Sequence, residues 1–237
     1  MKTELEHERI TRVYRQWNDG RALPRYERLR PEVLQQSADR MRTLGAMLRR
    51  TVGSDLAALR MLDVGCGTGS FIRQLIDWGA SPANLTGTEL LPDRLEVARR
   101  KTAHGVHWHL GGLEGIANGS VDLVSAHTVF SSILEDATRQ ALAAEMWRIL
   151  RPGGWCMIFD FRYNNPRNHN VRRLTRMELG LLWPARERHY RTLLLAPPIA
   201  RSLAALPYLV PEALAILAPP LRSHFIYMAC KEEPITV

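Results

Sequence analysis

The chain has 237 residues, 46% hydrophobic and 24% charged, which excludes a disordered, collagen-like or disulfide-scaffold protein. No stretch approaches the roughly 18–20 uncharged apolar residues of a membrane span, and residues 1–17 mix acids and bases with no apolar run, unlike a secretory leader. Lys+Arg 32 against Asp+Glu 24 gives a net charge of +8, nearly all of it from arginine since only Lys2, Lys101 and Lys231 are lysines, which fits either a solvated surface or a surface for phosphates and other anions.

In chain order, residues 4–17 carry Leu5, Ile10, Val13, Tyr14 and Trp17 at roughly helical spacing. Pro24 interrupts, and a second helix is expected from Pro31, a favoured first-turn position, to about Thr51, with Val33, Leu34, Met41, Leu44, Met47 and Leu48 as its apolar stripe. From residue 60 short apolar runs at 61–64, 84–88, 106–110, 121–125 and 155–159 alternate with amphipathic stretches at 69–78, 92–102 and 138–150. Strand and helix in alternation imply a parallel sheet covered on both faces. Residues 160–237 are irregular and proline-marked, with strands expected at 188–195 and 224–230 and a helical stretch between them. No repeat or linker is visible, so 1–237 reads as one domain behind a helical cap at 1–58. The cysteines Cys66, Cys156 and Cys230 are scattered and lack metal-ligand spacing, so no metal is expected and a reducing, cytoplasmic setting is the simplest.

The most informative segment runs from Met61 to Phe71, a strand leading into Gly65, Gly67 and Gly69 and then a helix. Glycines there permit positive φ and remove the Cβ atoms that would keep a ligand from the backbone, and the helix start offers free N–H groups. Dinucleotide folds space these glycines as G-x-G-x-x-G to hold a pyrophosphate. Here the spacing is G-x-G-x-G, and Asp63 stands two residues before it. A carboxylate in that place suits a cationic ligand, which points to S-adenosylmethionine. Glu89, at the end of the next strand, can accept bonds from ribose hydroxyls, a feature shared with nicotinamide enzymes.

The segments LDVGCGTGSF, TGTELLPDRLEVARR, NGSVDLVSAHTVFSSI and EMWRILRPGGW together resemble the class I S-adenosylmethionine-dependent methyltransferases, nearest to the small-molecule enzymes of the ubiquinone and biotin pathways. The resemblance spans about residues 55–160. It implies a Rossmann-like α/β fold with a seven-stranded, mostly parallel sheet and an antiparallel last strand. It also implies a cofactor core at 59–160 and acceptor-binding and C-terminal strands at 161–237. Carried over, Asp63, Gly65 and Gly67 would hold the methionine part of the cofactor, Glu89 the ribose, and Leu90 the adenine face, with Cys66 and Gly69 also binding the cofactor. The acid usual after the third strand is missing, with Gly112 in its place, so the adenine contact falls to the Leu113 backbone or to Glu114.

Ligands of open α/β sheets sit beyond the carboxyl ends of the strands, which directs attention to 125–133 and 159–169. His127, which titrates near neutrality, is expected to be a catalytic base or a cofactor contact, with Asp160 and His169 as second choices for the base. Phe130, Arg162, Tyr163, Asn164, Asn165 and Arg167 are expected to meet the acceptor, the Asn and Arg side chains suiting hydroxylated or anionic groups. Tyr14 and Trp17 would close over the site as a lid. The expected function is methyl transfer from S-adenosylmethionine to oxygen of a small molecule or glycan. An RNA methyltransferase and a non-catalytic cofactor-binding partner subunit are the alternatives. Nucleic acid is disfavoured, because no separate RNA-binding module or basic-aromatic platform is visible, and the oligomeric state is not legible.

Overall fold

The computed structural model describes residues 5–18, 27 and 29–233, with side chains for all of these but Trp17 and Asn18. Two helices, α1 (Glu6–Asn18) and α2 (Pro31–Thr51), come first, the second opening on its proline as expected. The alternating section follows as β1 (Met61–Val64), α3 (Ser70–Asp77), β2 (Leu85–Glu89), α4 (Pro92–Lys101) and β3 (His107–Leu110), then β4 (Val121–His127), α5 (Asp136–Ile149) and β5 (Leu150–Phe161). The C-terminal section holds α6 (Arg176–Leu182), β6 (Arg188–Leu195), α7 (Pro197–Ser202), α8 (Leu209–Leu217) and β7 (Arg222–Cys230).

The seven strands form one sheet in the order β3-β2-β1-β4-β5-β7-β6. All run parallel except β7, which pairs antiparallel with β5 on one side and β6 on the other. The central strands are apolar on both sides because both sides are covered. Met61, Leu123, Met157 and Met228 face a core completed by Leu44, Met47 and Leu48 of α2 and by Phe71, Ile72 and Leu75 of α3. Leu62, Val124, Ile158 and Tyr227 face the opposite core, completed by Ala143, Met146 and Ile149 of α5. This is the Rossmann-like architecture that the strand-helix alternation implied.

Three details differ from the sequence expectation. β5 begins at Leu150 rather than 155, since the chain passes from α5 straight into the strand, and a register shift between Val121 and Leu123 accommodates the Pro152-Gly-Gly segment. α6 was not predicted, although its N-terminus carries a complete capping box in which Thr175 and Glu178 bond each other's backbone N–H. β6 is interrupted at Leu194, whose φ of 60° leaves it without a ladder partner while the register with β7 continues unchanged on either side. Its N–H is bonded by Asp39 Oδ2 at 3.0 Å, and Gln36 Nε2 bonds Leu195 O at 3.1 Å. These two contacts fix α2 against the end of β6 and so determine where the rest of α2 points.

Candidate active site

The glycine loop joins β1 to α3 with Gly65, Gly67 and Gly69 at φ 60°, 58° and 76°, the conformations that glycine adopts without penalty. At Gly65 a side chain is also sterically barred: a Cβ would lie 2.8 Å from Val129 Cγ2. Glu89, at the carboxyl end of β2, lies beneath this loop. Its Oε2 accepts from Gly67 N–H at 2.9 Å, and its Oε1 accepts from the N–H groups of Leu90 and Leu91 at 2.8 and 3.1 Å. The Arg94 guanidinium stands 4.0 Å away. The buried Cys66 thiol is pushed up by burial and by the nearby carboxylates, so it stays a neutral filler.

Asp63 at the end of β1 is buried, and one of its oxygens accepts from Ser125 Oγ at 2.8 Å. Burial raises its pKa to about 7, against the lowering effects of Ser125 and of the Arg40 charge. His127 ends β4 next to it, with Nε2 3.9 Å from Asp63 Oδ1. The other ring nitrogen, Nδ1, lies 3.0 Å from Arg40 NH2 on α2. A guanidinium can only donate, so Nδ1 is the acceptor and the proton of the neutral ring belongs on Nε2. Burial and the Arg40 charge hold His127 well below its ordinary pKa, and Phe71 packs on the ring at 4.2 Å between centroids. Arg40 itself lies over Phe159 at 4.7 Å. Its Nε and His127 Nε2 are both shut off from solvent with no hydrogen-bond partner among the described residues.

Beyond the end of β2 Leu90 is exposed, whereas the Leu113 side chain is buried in the cluster that holds Leu62 and Val64. The Glu114 carboxylate curls back over Gly112, with Oε2 2.7 Å from where a Cβ of residue 112 would be.

α1 crosses the carboxyl ends of the strands. Glu6 accepts from Leu134 N–H at 2.6 Å, and the Tyr14 hydroxyl donates to Ser132 Oγ at 2.8 Å, since that oxygen's own proton goes to Thr128 O. Arg94 lies over the Tyr14 ring at 4.9 Å, so one tyrosine bridges the Glu89 side of the crevice and the loop after β4. The Trp17 side chain falls outside the described residues.

The structure does not bring the rest of the expected acceptor residues to this point. Phe130 is fully buried, edge-on to Trp183 at 5.0 Å, because the turn after β4 folds it into the core. Asp160 is fully buried too, and its oxygens accept from the N–H groups of Ser131 and Phe161 at 2.9 and 2.8 Å; its pKa is raised to about 6 by burial. It ties the loop after β4 to the end of β5. Arg162 donates to the carbonyls of Pro219 and Arg222, and Tyr163 to that of Pro220. Asn164 accepts from Arg173 N–H, and Asn165 from Arg167 N–H in a local turn. His169 is exposed in the same loop. The polar ends of these side chains brace the 162–173 loop. A cavity of about 760 Å³ lies apart from the crevice, between α2, the length of β6 and α8.

Residues 61–154 match a family described as a methyltransferase domain. Residues 61–154 thus carry a methyltransferase domain. The two orphaned buried nitrogens beside the glycine loop are what a polar ligand there would satisfy. The methyltransferase domain is 35% identical over 121 residues to a malonyl-[acyl-carrier protein] O-methyltransferase of Serratia marcescens, covering 46% of this chain and 44% of that protein. It is 30% identical over 131 residues to the O-methyltransferase cnsE of Penicillium expansum, covering 52% and 46%. The chain thus matches about half the length of these relatives. In fold it resembles the geranyl diphosphate C-methyltransferase of Streptomyces coelicolor, with a TM-score of 0.65, 15% identity and coverage of 98% and 100%.

The sequence reading did not foresee Arg40 beside His127 and Phe159. Its signal was present: position 40 continues the buried stripe of Leu44, Met47 and Leu48, and a charge on an apolar face requires a reason.

Proposed function

We propose that the protein transfers the methyl group of S-adenosylmethionine to an oxygen of a small-molecule or glycan acceptor. The observation that carries this is a pair of opposite charges, Asp63 and Arg40, on either side of His127 at the mouth of the glycine loop. They do not bond each other. Together they complement an α-amino acid, with Asp63 taking the ammonium group and Arg40 the carboxylate, in surroundings where each such contact is strengthened by burial. Glu89 is placed for the ribose hydroxyls, Glu114 for the adenine amino group, and Leu90 for the adenine face. The O-methyltransferases among the relatives support oxygen as the attacked atom.

The sulfonium supplies an activated methyl group, so the chain's task is alignment and exclusion of water. Arg40 occupies the lone pair of His127 Nδ1, and Nε2 carries the proton. His127 is therefore a donor that orients groups in the crevice, and Asp160 a brace for the loop after β4. Neither offers a free basic atom, which favours an acceptor oxygen already ionised or one whose proton passes to water.

Calorimetric titration with S-adenosylhomocysteine, with NADH as the control, tests this. The parent should bind S-adenosylhomocysteine and not NADH. Asp63→Asn and Arg40→Ala should each weaken binding by about tenfold or more, the size of a lost charge-assisted hydrogen bond. Unchanged affinity in both variants would remove Asp63 and Arg40 from the cofactor site.

A further inference from the structure

Helix α8 is inverted. Its Glu212 turns inward to pair with Arg42 of α2 at 2.9 Å, while the outward stripe of Leu209, Val210, Ala213 and Leu217 is apolar and exposed, with Ile216 exposed at the rim of the cavity between α2, β6 and α8. Leu209 is 73%, Ile216 61% and Leu217 81% exposed. The turn before the helix adds Leu206 and Tyr208, also exposed. A contiguous apolar face of this kind marks an interaction surface.

Its surroundings say what kind. Residues 161–222 contain ten arginines, no lysine and only three acids; Arg172 and Arg186 pair with acids elsewhere in the fold, whereas Arg162 and Arg201 stand near α8. Arg42 reaches the Tyr208 hydroxyl at 3.1 Å, Arg201 is exposed on α7, and Arg162 lies over the half-exposed Tyr163 ring at 5.1 Å. The Tyr163 hydroxyl in turn holds Pro220 O at 2.9 Å, just past the end of α8. The apolar face is thus bordered by arginines and by tyrosines with one polar tip. That is the composition of a helix lying in a lipid-water interface, where leucines enter the acyl boundary and arginines meet anionic head groups.

We propose that the α8 face seats the protein on an anionic lipid bilayer. A second copy is the poorer occupant, because a two-fold contact would oppose the same arginines across the interface. The helix also protrudes over only about 13 Å, which suits insertion better than a broad protein interface. α8 lies in the connection between β6 and β7, at the carboxyl end of β6, and its following segment touches the loop after β5. The face therefore borders the end of the sheet that bears the crevice. Resting on the methyl-transfer reading, the acceptor is then an amphiphile whose polar end reaches the crevice while its apolar part stays in the bilayer.

The test is co-sedimentation of the full chain with vesicles of phosphatidylcholine alone and of phosphatidylcholine with phosphatidylglycerol in equal parts. Binding should require the anionic lipid, fall with added salt, and weaken by about a hundredfold in the double variant Leu209→Glu with Leu217→Glu, as expected for two leucines withdrawn from the acyl boundary. S-adenosylhomocysteine affinity and the thermal melt of that variant should match the parent. Vesicle binding without S-adenosylhomocysteine binding would leave the bilayer contact standing and remove the methyl-transfer reading. The bilayer contact is overturned if the parent ignores anionic vesicles, if the double variant binds them equally, or if sedimentation velocity shows a parent dimer that the double variant abolishes in place of vesicle binding.

Discussion

The carboxyl of Asp63 sits where its ionisation controls the site. A carboxyl ordinarily near 3.8 is raised to about 7 by burial, so in the free protein its contribution to stability is fully present below about pH 4 and is lost as pH rises through about 7. A ligand ammonium needs the ionised form, so the two demands run in opposite directions. S-adenosylhomocysteine affinity should rise by up to tenfold per unit as pH approaches 7 and level off above about 8. Asp63→Asn should flatten that profile, and calorimetry at several pH values with a buffer-matched control reads it directly. Burial and the Arg40 charge hold His127 well below its ordinary range, so the rise towards pH 7 is assigned to Asp63.

Charged residues on apolar stripes carry much of what is specific to this chain. Arg40 on α2 extends the line of Leu44 and Met47. Arg139 on α5 does the same ahead of Ala143 and Met146, and it is almost fully buried. Its guanidinium bonds Ile133 O at 2.8 Å, Arg172 O at 2.8 Å and Glu178 at 2.6 Å, which joins the loop after β4 to the start of α6.

At the scale of elements, α6 is short and weakly patterned, so its cap matters. Thr175 Oγ1 accepts from Glu178 N–H at 3.2 Å, and Glu178 also holds Arg139 and Arg172. Thr175→Ala should cost about 1 kcal/mol, measured as a lowered urea midpoint with an unchanged slope, whereas Thr175→Ser should restore most of it. The helical cap at the N-terminus was foreseen as a lid over the crevice. The structure lays α1 across the strand ends through Glu6 and Tyr14, contacts that join residues more than a hundred positions apart and that no local pattern encodes. The strands and helices from 61 to 149 were legible because burial on both sheet faces forces continuous apolar runs between amphipathic helices. α6 was missed because seven residues are too few to show a period, although its capping box was in plain sight.

For the whole molecule, stability should fall from the centre of the sheet outward. β1, β4, β5 and β7 are covered on both faces and should be slowest in amide hydrogen exchange, with α1 and α8 near the fast end. Saturating S-adenosylhomocysteine should slow exchange in the glycine loop and in α1, because Tyr14 and Arg94 bridge the crevice beside Glu89. Protection confined to the loop would mean that α1 does not respond to the cofactor.

By itself the sequence determined the α/β class, the seven strands, the glycine loop and the carboxylates Asp63 and Glu89, because each follows from periodicity or from a motif whose parts are adjacent in the chain. It did not determine which polar residues meet. Asn164 and Asn165 looked like acceptor contacts and are spent on backbone groups, and Phe130 lies in the core. Arg40, on a helix before the motif begins, reaches the end of β4 only because Asp39 and Gln36 fix α2 on the end of β6. Hydrogen-bond partners and the direction of a helix face depend on contacts between segments far apart in the chain, and those exist only once the sheet has closed and every buried polar group has found its partner.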